Sequence, residues 1–133
     1  MRNQSCVNIQ TEWDIVAARQ LGRNVAKELG FGIVDQARIT TAISELARNI
    51  FIYADKGKVC IEKIYEKGHT GLRIVAIDNG PGIRDIRLAM EDGYSTSGGL
   101  GAGLPGVKRL MDEFQIVSSP ETGTEINAIK WIR

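Results

Sequence analysis

Histidine is almost missing from this chain: His69, inside Lys67-Gly68-His69-Thr70-Gly71, is the only one in 133 residues. One imidazole in a turn and no cysteine cluster exclude a zinc site built by the protein itself. Cysteine is nearly as scarce. Cys6 and Cys60 each fall in an expected strand, without metal-ligand spacing or a partner motif, and are expected to be buried reduced thiols rather than a disulfide. An excess of one charge is also lacking: 17 Lys and Arg against 16 Asp and Glu leave +1. That balance gives no reason to expect nucleic acid or an anionic membrane surface as a partner. No apolar run approaches the ~20 residues of a membrane helix. Residues 1–10 lack the apolar centre of a signal peptide, so the cytoplasm is the expected compartment.

What the chain does have is enough apolar material, 43% of its residues, to bury a core, at a length that suits one domain over residues 1–133. Residues 5–10 alternate as a first strand. Thr11-Glu12-Trp13-Asp14 reads as a capping box with Asp in the place of Glu. The helix it opens carries Ile15, Ala18, Leu21, Val25 and Leu29 at helical spacing and stops at Gly30. A second helix is expected over 34–53, its apolar face made of Ile39, Ala42, Ile43, Leu46, Ile50 and Tyr53. After a turn at 55–58, strands at 59–65 and 72–77 form a hairpin around a polar turn. Residues 78–83 are irregular, because Gly-Pro-Gly interrupts them. A short helix over 85–92 follows, and five glycines within residues 93–103 suggest a mobile loop. A third main helix is expected over 104–114 and a closing hairpin over 115–119 and 124–132. The expected fold is α/β (α+β): a two-layer sandwich, its sheet mixed but mostly antiparallel, with helices on one face.

Four short motifs stand in order on this frame. In Glu45-Leu46-Ala47-Arg48-Asn49, Glu45 and Asn49 sit four apart on one helix face. They read either as a solvated face with a helix amide, or as a carboxylate beside an amide oxygen that suits Mg²⁺, which takes one or two protein ligands plus phosphates. Asp78-Asn79-Gly80-Pro81-Gly82 follows an apolar strand. It is good turn chemistry. It also offers a carboxylate able to accept from an exocyclic amine, beside Gly80 and Gly82, whose missing Cβ atoms let a flat base approach. Gly98-Gly99-Leu100-Gly101-Ala102-Gly103-Leu104 opens a helix, where free backbone N–H groups and the positive helix end favour phosphate. It is neither a Walker motif nor a dinucleotide fingerprint. Thr122-Gly123-Thr124 opens the last strand. Thr124 is either a β-branched strand residue or a hydroxyl bridging Asp78 and a base.

Taken together, the motifs resemble the GHKL superfamily of ATP-binding domains, which includes gyrase, Hsp90, histidine kinases and MutL. Glu45 and Asn49 match its N-box. Asp78, Gly80 and Gly82 match its first glycine box, Gly99, Gly101 and Gly103 its second, and Gly123-Thr124 its last. In size and build the chain resembles the anti-sigma-factor serine/threonine kinases, and along nearly its whole length the stressosome switch kinases. The resemblance implies the Bergerat fold, with ATP held between the helical layer and a flexible lid at 93–103. It implies Glu45 as general base and Asn49 as Mg²⁺ ligand. Asp78 becomes the adenine anchor, and Gly80, Gly82, Ser97, Gly99, Gly101, Ala102, Gly103, Leu104 and Thr124 complete the ATP site. Arg48, next to the N-box, is either a surface arginine or a charge for transferred phosphate. The implied substrate is a Ser or Thr hydroxyl on a STAS-domain antagonist or scaffold protein. A further implied partner is a PP2C-type phosphatase, bound and activated after release from the stressosome.

Two other readings remain open. One is a nucleotide-gated interaction module with little catalysis, against which Glu45 argues, since a pure binder needs no base. The other is a detached ATPase domain of histidine-kinase type. The sequence shows no phospho-accepting helical domain and no usable histidine, so an acceptor is expected on another protein or not at all. Acid-stable phosphoserine on a partner separates a serine/threonine kinase from both.

Overall fold

The computed structural model of the chain describes residues 4–54, 56–80, 103–119 and 121–133. The elements run β1 (Gln4–Asn8), α1 (Glu12–Leu29), α2 (Ile33–Tyr53), β2 (Gly57–Glu66), β3 (His69–Asp78), α3 (Gly103–Leu110), β4 (Glu113–Ser119) and β5 (Gly123–Trp131). The five strands form one sheet in the order β1-β2-β3-β5-β4. Every pairing among the described residues is antiparallel, as the expectation of a mostly antiparallel sheet requires.

Local chemistry fixes the helix ends. At the start of α1, Asp14 Oδ2 accepts from the backbone N–H groups of Gln10, at 2.8 Å, and Thr11, at 2.9 Å. Those bonds hold the Asp14 carboxyl below its usual pKa. Gly30 ends the helix with φ 97°, and its N–H returns to the carbonyls of Ala26 and Lys27.

Helices and sheet meet along alternating positions. Val59, Ile61, Leu72, Ile74, Ala76, Ile126 and Ala128 turn toward the helical layer and are buried. There they meet Ile15, Ala18 and Val25 of α1 and Ile39, Ile43, Leu46 and Ile50 of α2 in one core. Gly22 lets α1 and α2 close up, since a Cβ there would lie 2.1 Å from Ile43 Cδ1.

Several boundaries differ from the sequence reading. The β2–β3 strands run on to Glu66 and His69, around a turn at Lys67 (φ 52°) and Gly68 (φ 80°). Positive φ at both residues is the hairpin turn that suits strand twist. Gly57 and Lys58 belong to β2 rather than to a turn. The third helix ends at Leu110, and Glu113 and Phe114 already belong to β4, because Phe114 pairs with Ala128. Tyr53 is half exposed rather than in the core, since it closes the helix beyond the part packed on the sheet.

The cysteines require a correction. Cys6 and Cys60 are joined in a disulfide, not present as separate thiols. The β1–β2 register sets them directly opposite each other, with Cα atoms 4.0 Å apart. The bond spans 54 positions of sequence, so only the strand pairing could reveal it.

A polar network closes the far end of α3. Asp112 accepts from Trp131 N at 2.7 Å and from Arg133 Nη2 at 2.8 Å. The buried Lys130 donates to Leu110 O at 2.9 Å, with Asp112 Oδ1 3.7 Å away. Burial pushes the Asp112 carboxyl up, but the bonds from Trp131 and Arg133 and the Lys130 charge outweigh it and hold the group below the usual range. Its stabilising contribution is therefore complete above the unfolded pKa, about 3.9, and is lost as pH falls through the lower folded value. Asp112→Asn should lower unfolding free energy by about 1.5–3 kcal/mol at pH 7. Urea unfolding at pH 7 and below pH 4 checks this, because the deficit should shrink in acid.

Candidate functional site

The site begins at the C-terminal end of the sheet's central strand. On β3 the buried residues Leu72, Ile74 and Ala76 alternate toward the helices, and Asp78 is next in that alternation. Asp78 pairs with Thr124 on one side and Gly57 on the other. Thr124 in turn pairs with Ser118, and the two hydroxyls lie 2.8 Å apart. A polar row, Ser118–Thr124–Asp78, therefore crosses three strands where the apolar core ends. The sequence reading did not include Ser118, because nothing local signals it; only the β4–β5 register puts it there.

The backbone around Asp78 is tightly held. Gly80 N–H donates to Asp78 Oδ1 at 2.9 Å. Asn79 is tied to Lys56 twice, through Asn79 N to Lys56 O at 3.1 Å and Lys56 N to Asn79 Oδ1 at 3.1 Å. Among the described residues, Gly80 is the one hydrogen-bond donor found on the Asp78 carboxylate. Gly80 presses against the end of α2, where a Cβ would stand 3.0 Å from Tyr53 O and 3.1 Å from Ala54 Cβ. Gly123 has φ +86°, and a Cβ there would fall 2.1 Å from Asp78 O. Gly123→Ala should cost about 2 kcal/mol or more from the left-handed backbone and the clash. It should also weaken nucleotide binding, as Asp78 is displaced; urea unfolding and a nucleotide titration check both.

Helix α2 carries the other half. Its apolar stripe, Ile39, Ile43, Leu46 and Ile50, fixes the rotation of the helix. That rotation buries Glu45, which is 2% exposed, and leaves Asn49 half-buried one turn along the same ridge. A solvated face is therefore the wrong description of Glu45. From Glu45 to the Tyr53–Gly80 contact is about 12 Å of helix. A long ligand can meet Asp78 at one end and Glu45 at the other.

Gly103 and Leu104 start α3, which packs against α2. Gly103 has φ 74°. The Leu104 side chain is in the core, so only its backbone is available to a ligand. The structure thus brings Asp78, Gly80 and Thr124 together and places Glu45 and Asn49 along the adjoining helix. Gly82, Ser97, Gly99, Gly101 and Ala102 lie outside the described residues, as do the expected helix at 85–92 and residues 93–102 of the expected lid.

Residues 34–131 match the family described as histidine kinase-, DNA gyrase B-, and HSP90-like ATPases. The chain belongs to this GHKL family. Its antiparallel sheet and helical layer are thereby those of a GHKL ATPase domain. Over 133 residues, all of both chains, it is 74% identical to the serine/threonine-protein kinase RsbT of Bacillus subtilis strain 168. It is 32% identical to the anti-sigma F factor of Thermoanaerobacter sp. strain X514, over 86% of this chain and 83% of that one. Two solved structures share the fold. The RsbU and RsbW domains of Rv1364c from Mycobacterium tuberculosis superpose with a TM-score of 0.64 at 19% identity, covering 97% of this chain and 33% of that one. The SiaB–SiaC complex from Pseudomonas aeruginosa gives 0.60 at 15% identity, covering 98% and 92%. This GHKL chain is an ATP-dependent serine/threonine protein kinase of the partner-switching group.

The residues present fit both ligands that such a kinase needs. The missing Cβ atoms at Gly80 and Gly123 let the chain close on Tyr53, Ala54 and the Asp78–Asn79 backbone, which fixes the Asp78 carboxylate, an acceptor of the kind an exocyclic base amine needs, at the end of the sheet. An amide oxygen at Asn49 beside the Glu45 carboxylate is the hard-oxygen set that Mg²⁺ accepts. Among the described residues, no cluster of three or more His, Cys, Asp or Glu could hold a metal ion. Among those residues, no helix is long and apolar enough to cross a membrane.

Proposed function

We propose that residues 1–133 act as one kinase domain that transfers the γ-phosphate of ATP to a Ser or Thr of STAS-domain partners. Once released from them, the kinase binds and activates a PP2C-type phosphatase. The observation that carries the reading is the burial of Glu45 on the ridge it shares with Asn49. A carboxylate withdrawn from water at that position has little purpose in a passive binder. In this reading Asp78 anchors the adenine amine, with Thr124 beside it. Gly80 and Gly82 lie against the base, and Ser97, Gly99, Gly101, Ala102 and the backbone of Gly103 and Leu104 hold the phosphates.

Asn49 supplies an amide oxygen to Mg²⁺, whose charge offsets that of the phosphates. Glu45 accepts the proton of the incoming hydroxyl. Phosphoryl transfer depends on such positioning and neutralisation more than on covalent chemistry. The full-length likeness to a serine/threonine-protein kinase named RsbT supports the acceptor class. The SiaB–SiaC complex and the linked RsbU and RsbW domains support partners of the proposed kind. The cytoplasm is the compartment in which ATP and such partners meet.

The test is incubation with Mg-ATP labelled at the γ-phosphate and a STAS-domain protein from the same genome. Acid-stable label on serine or threonine of that protein is the expected result. ATP binding without transfer would instead favour a nucleotide-gated binding module.

A further inference from the structure

Arg48 has no role in the reading above, yet it stands between the two residues that matter most there. Helical spacing puts it three positions after Glu45, on the same ridge, and directly before Asn49. The side chain is half-buried. Its Nε is closed to solvent and meets no hydrogen-bond acceptor among the described residues. None of the ion pairs found among those residues includes it either. A guanidinium cannot shed its charge and carries five donors. Buried donors in native proteins nearly always have a partner. An ordinary solvated arginine would keep Nε in water, and a structural one would have a carboxylate or carbonyl on it.

We propose that Arg48 binds the terminal phosphoryl group of ATP and offsets its charge during transfer. The inference rests on the reading that Glu45 and Asn49 mark the phosphate end of the site. An anion with several oxygens, arriving between a carboxylate and an amide, supplies the acceptor that Arg48 Nε lacks. In the step itself the acceptor oxygen bonds to the γ-phosphorus, and the bond from that phosphorus to the β–γ bridging oxygen breaks. The hydroxyl proton passes to Glu45 and ADP leaves. Negative charge gathers on the phosphoryl oxygens and the leaving oxygen, where a fixed cation counts most.

The experiment compares wild type, Arg48→Met and Arg48→Lys. ATP and ADP affinities are measured with Mg²⁺ present, alongside the rate of label transfer to a STAS-domain protein and the melting temperature without nucleotide. Expected for Arg48→Met is ADP affinity within about twofold of wild type, a reduced preference for ATP over ADP, and transfer slowed about 10²–10³-fold. Arg48→Lys, which keeps the charge but not the fork, should recover part of both losses. Unchanged transfer in Arg48→Met would overturn the proposal. Equal loss of ATP and ADP, with a lowered melting temperature in both variants, would also overturn it and make Arg48 a structural residue. Failure of wild type to bind either nucleotide would instead bring down the underlying reading of the site.

Discussion

Glu45→Gln binds ATP and does not transfer it: this is the expected result for the first variant. Glutamine matches glutamate in size, so the buried position 45 on α2, 2% exposed in the wild type, stays filled. The neighbouring Leu46 and Ile50 keep their packing. What is lost is an atom that can take a proton. A positioned general base contributes about 10²–10⁴-fold, and label transfer to a STAS-domain protein should fall by that factor. ATP affinity should stay within a few-fold of wild type, because the base end of the site, about 12 Å along the helix, is untouched. Unaltered transfer in a time course would remove Glu45 as the base, whatever the affinity.

The second large effect is expected at the opposite end. Asp78→Asn should abolish measurable nucleotide binding while leaving the fold intact. Gly80 N–H donates to Oδ1 at 2.9 Å, so an asparagine must keep its oxygen there to satisfy the turn. Its NH₂ then occupies the Oδ2 position and, with Asp78 as the proposed adenine anchor, would point a donor at the adenine amine, where an acceptor is needed. A hydrogen bond to a charged group is worth about 1.5–3 kcal/mol, and the opposed donors add to that loss. Affinity should therefore fall at least about 10²-fold. Calorimetric titration with ATP checks the affinity, and the melting temperature of the free protein should barely move. Normal affinity would take Asp78 out of the site.

The two expectations separate the ends of one ligand. A variant that binds but does not transfer and a variant that does not bind cannot both arise from general damage to the fold. They also bear differently on a nucleotide-gated binding module, which would lose partner regulation in Asp78→Asn but not in Glu45→Gln.

How much of this was legible in the sequence follows from the range of each interaction. The capping box at Asp14, the stop at Gly30 and the rotation of α2 are local. Helical periodicity placed Ile39, Ile43, Leu46 and Ile50 on the buried face, and with them the position of Glu45 and Asn49. Boundaries were less readable where propensity and pairing conflict. Residues 111–114 continue a helical pattern, yet Phe114 goes to β4 because Ala128 offers it a strand partner. Tyr53 fits the apolar spacing and still remains exposed, since the packed surface ends before it.

By itself the sequence determined the order of the motifs, the helix faces and the chemical types at the site, because these depend on neighbours a few positions away. Tertiary structure alone decided the polar row of Ser118, Thr124 and Asp78, the Cys6–Cys60 bond, and the burial of the Arg48 Nε. Each of these depends on which strands pair and in what register, or on what packs over a side chain. Such contacts join residues far apart in the chain, and no local spacing carries a record of them.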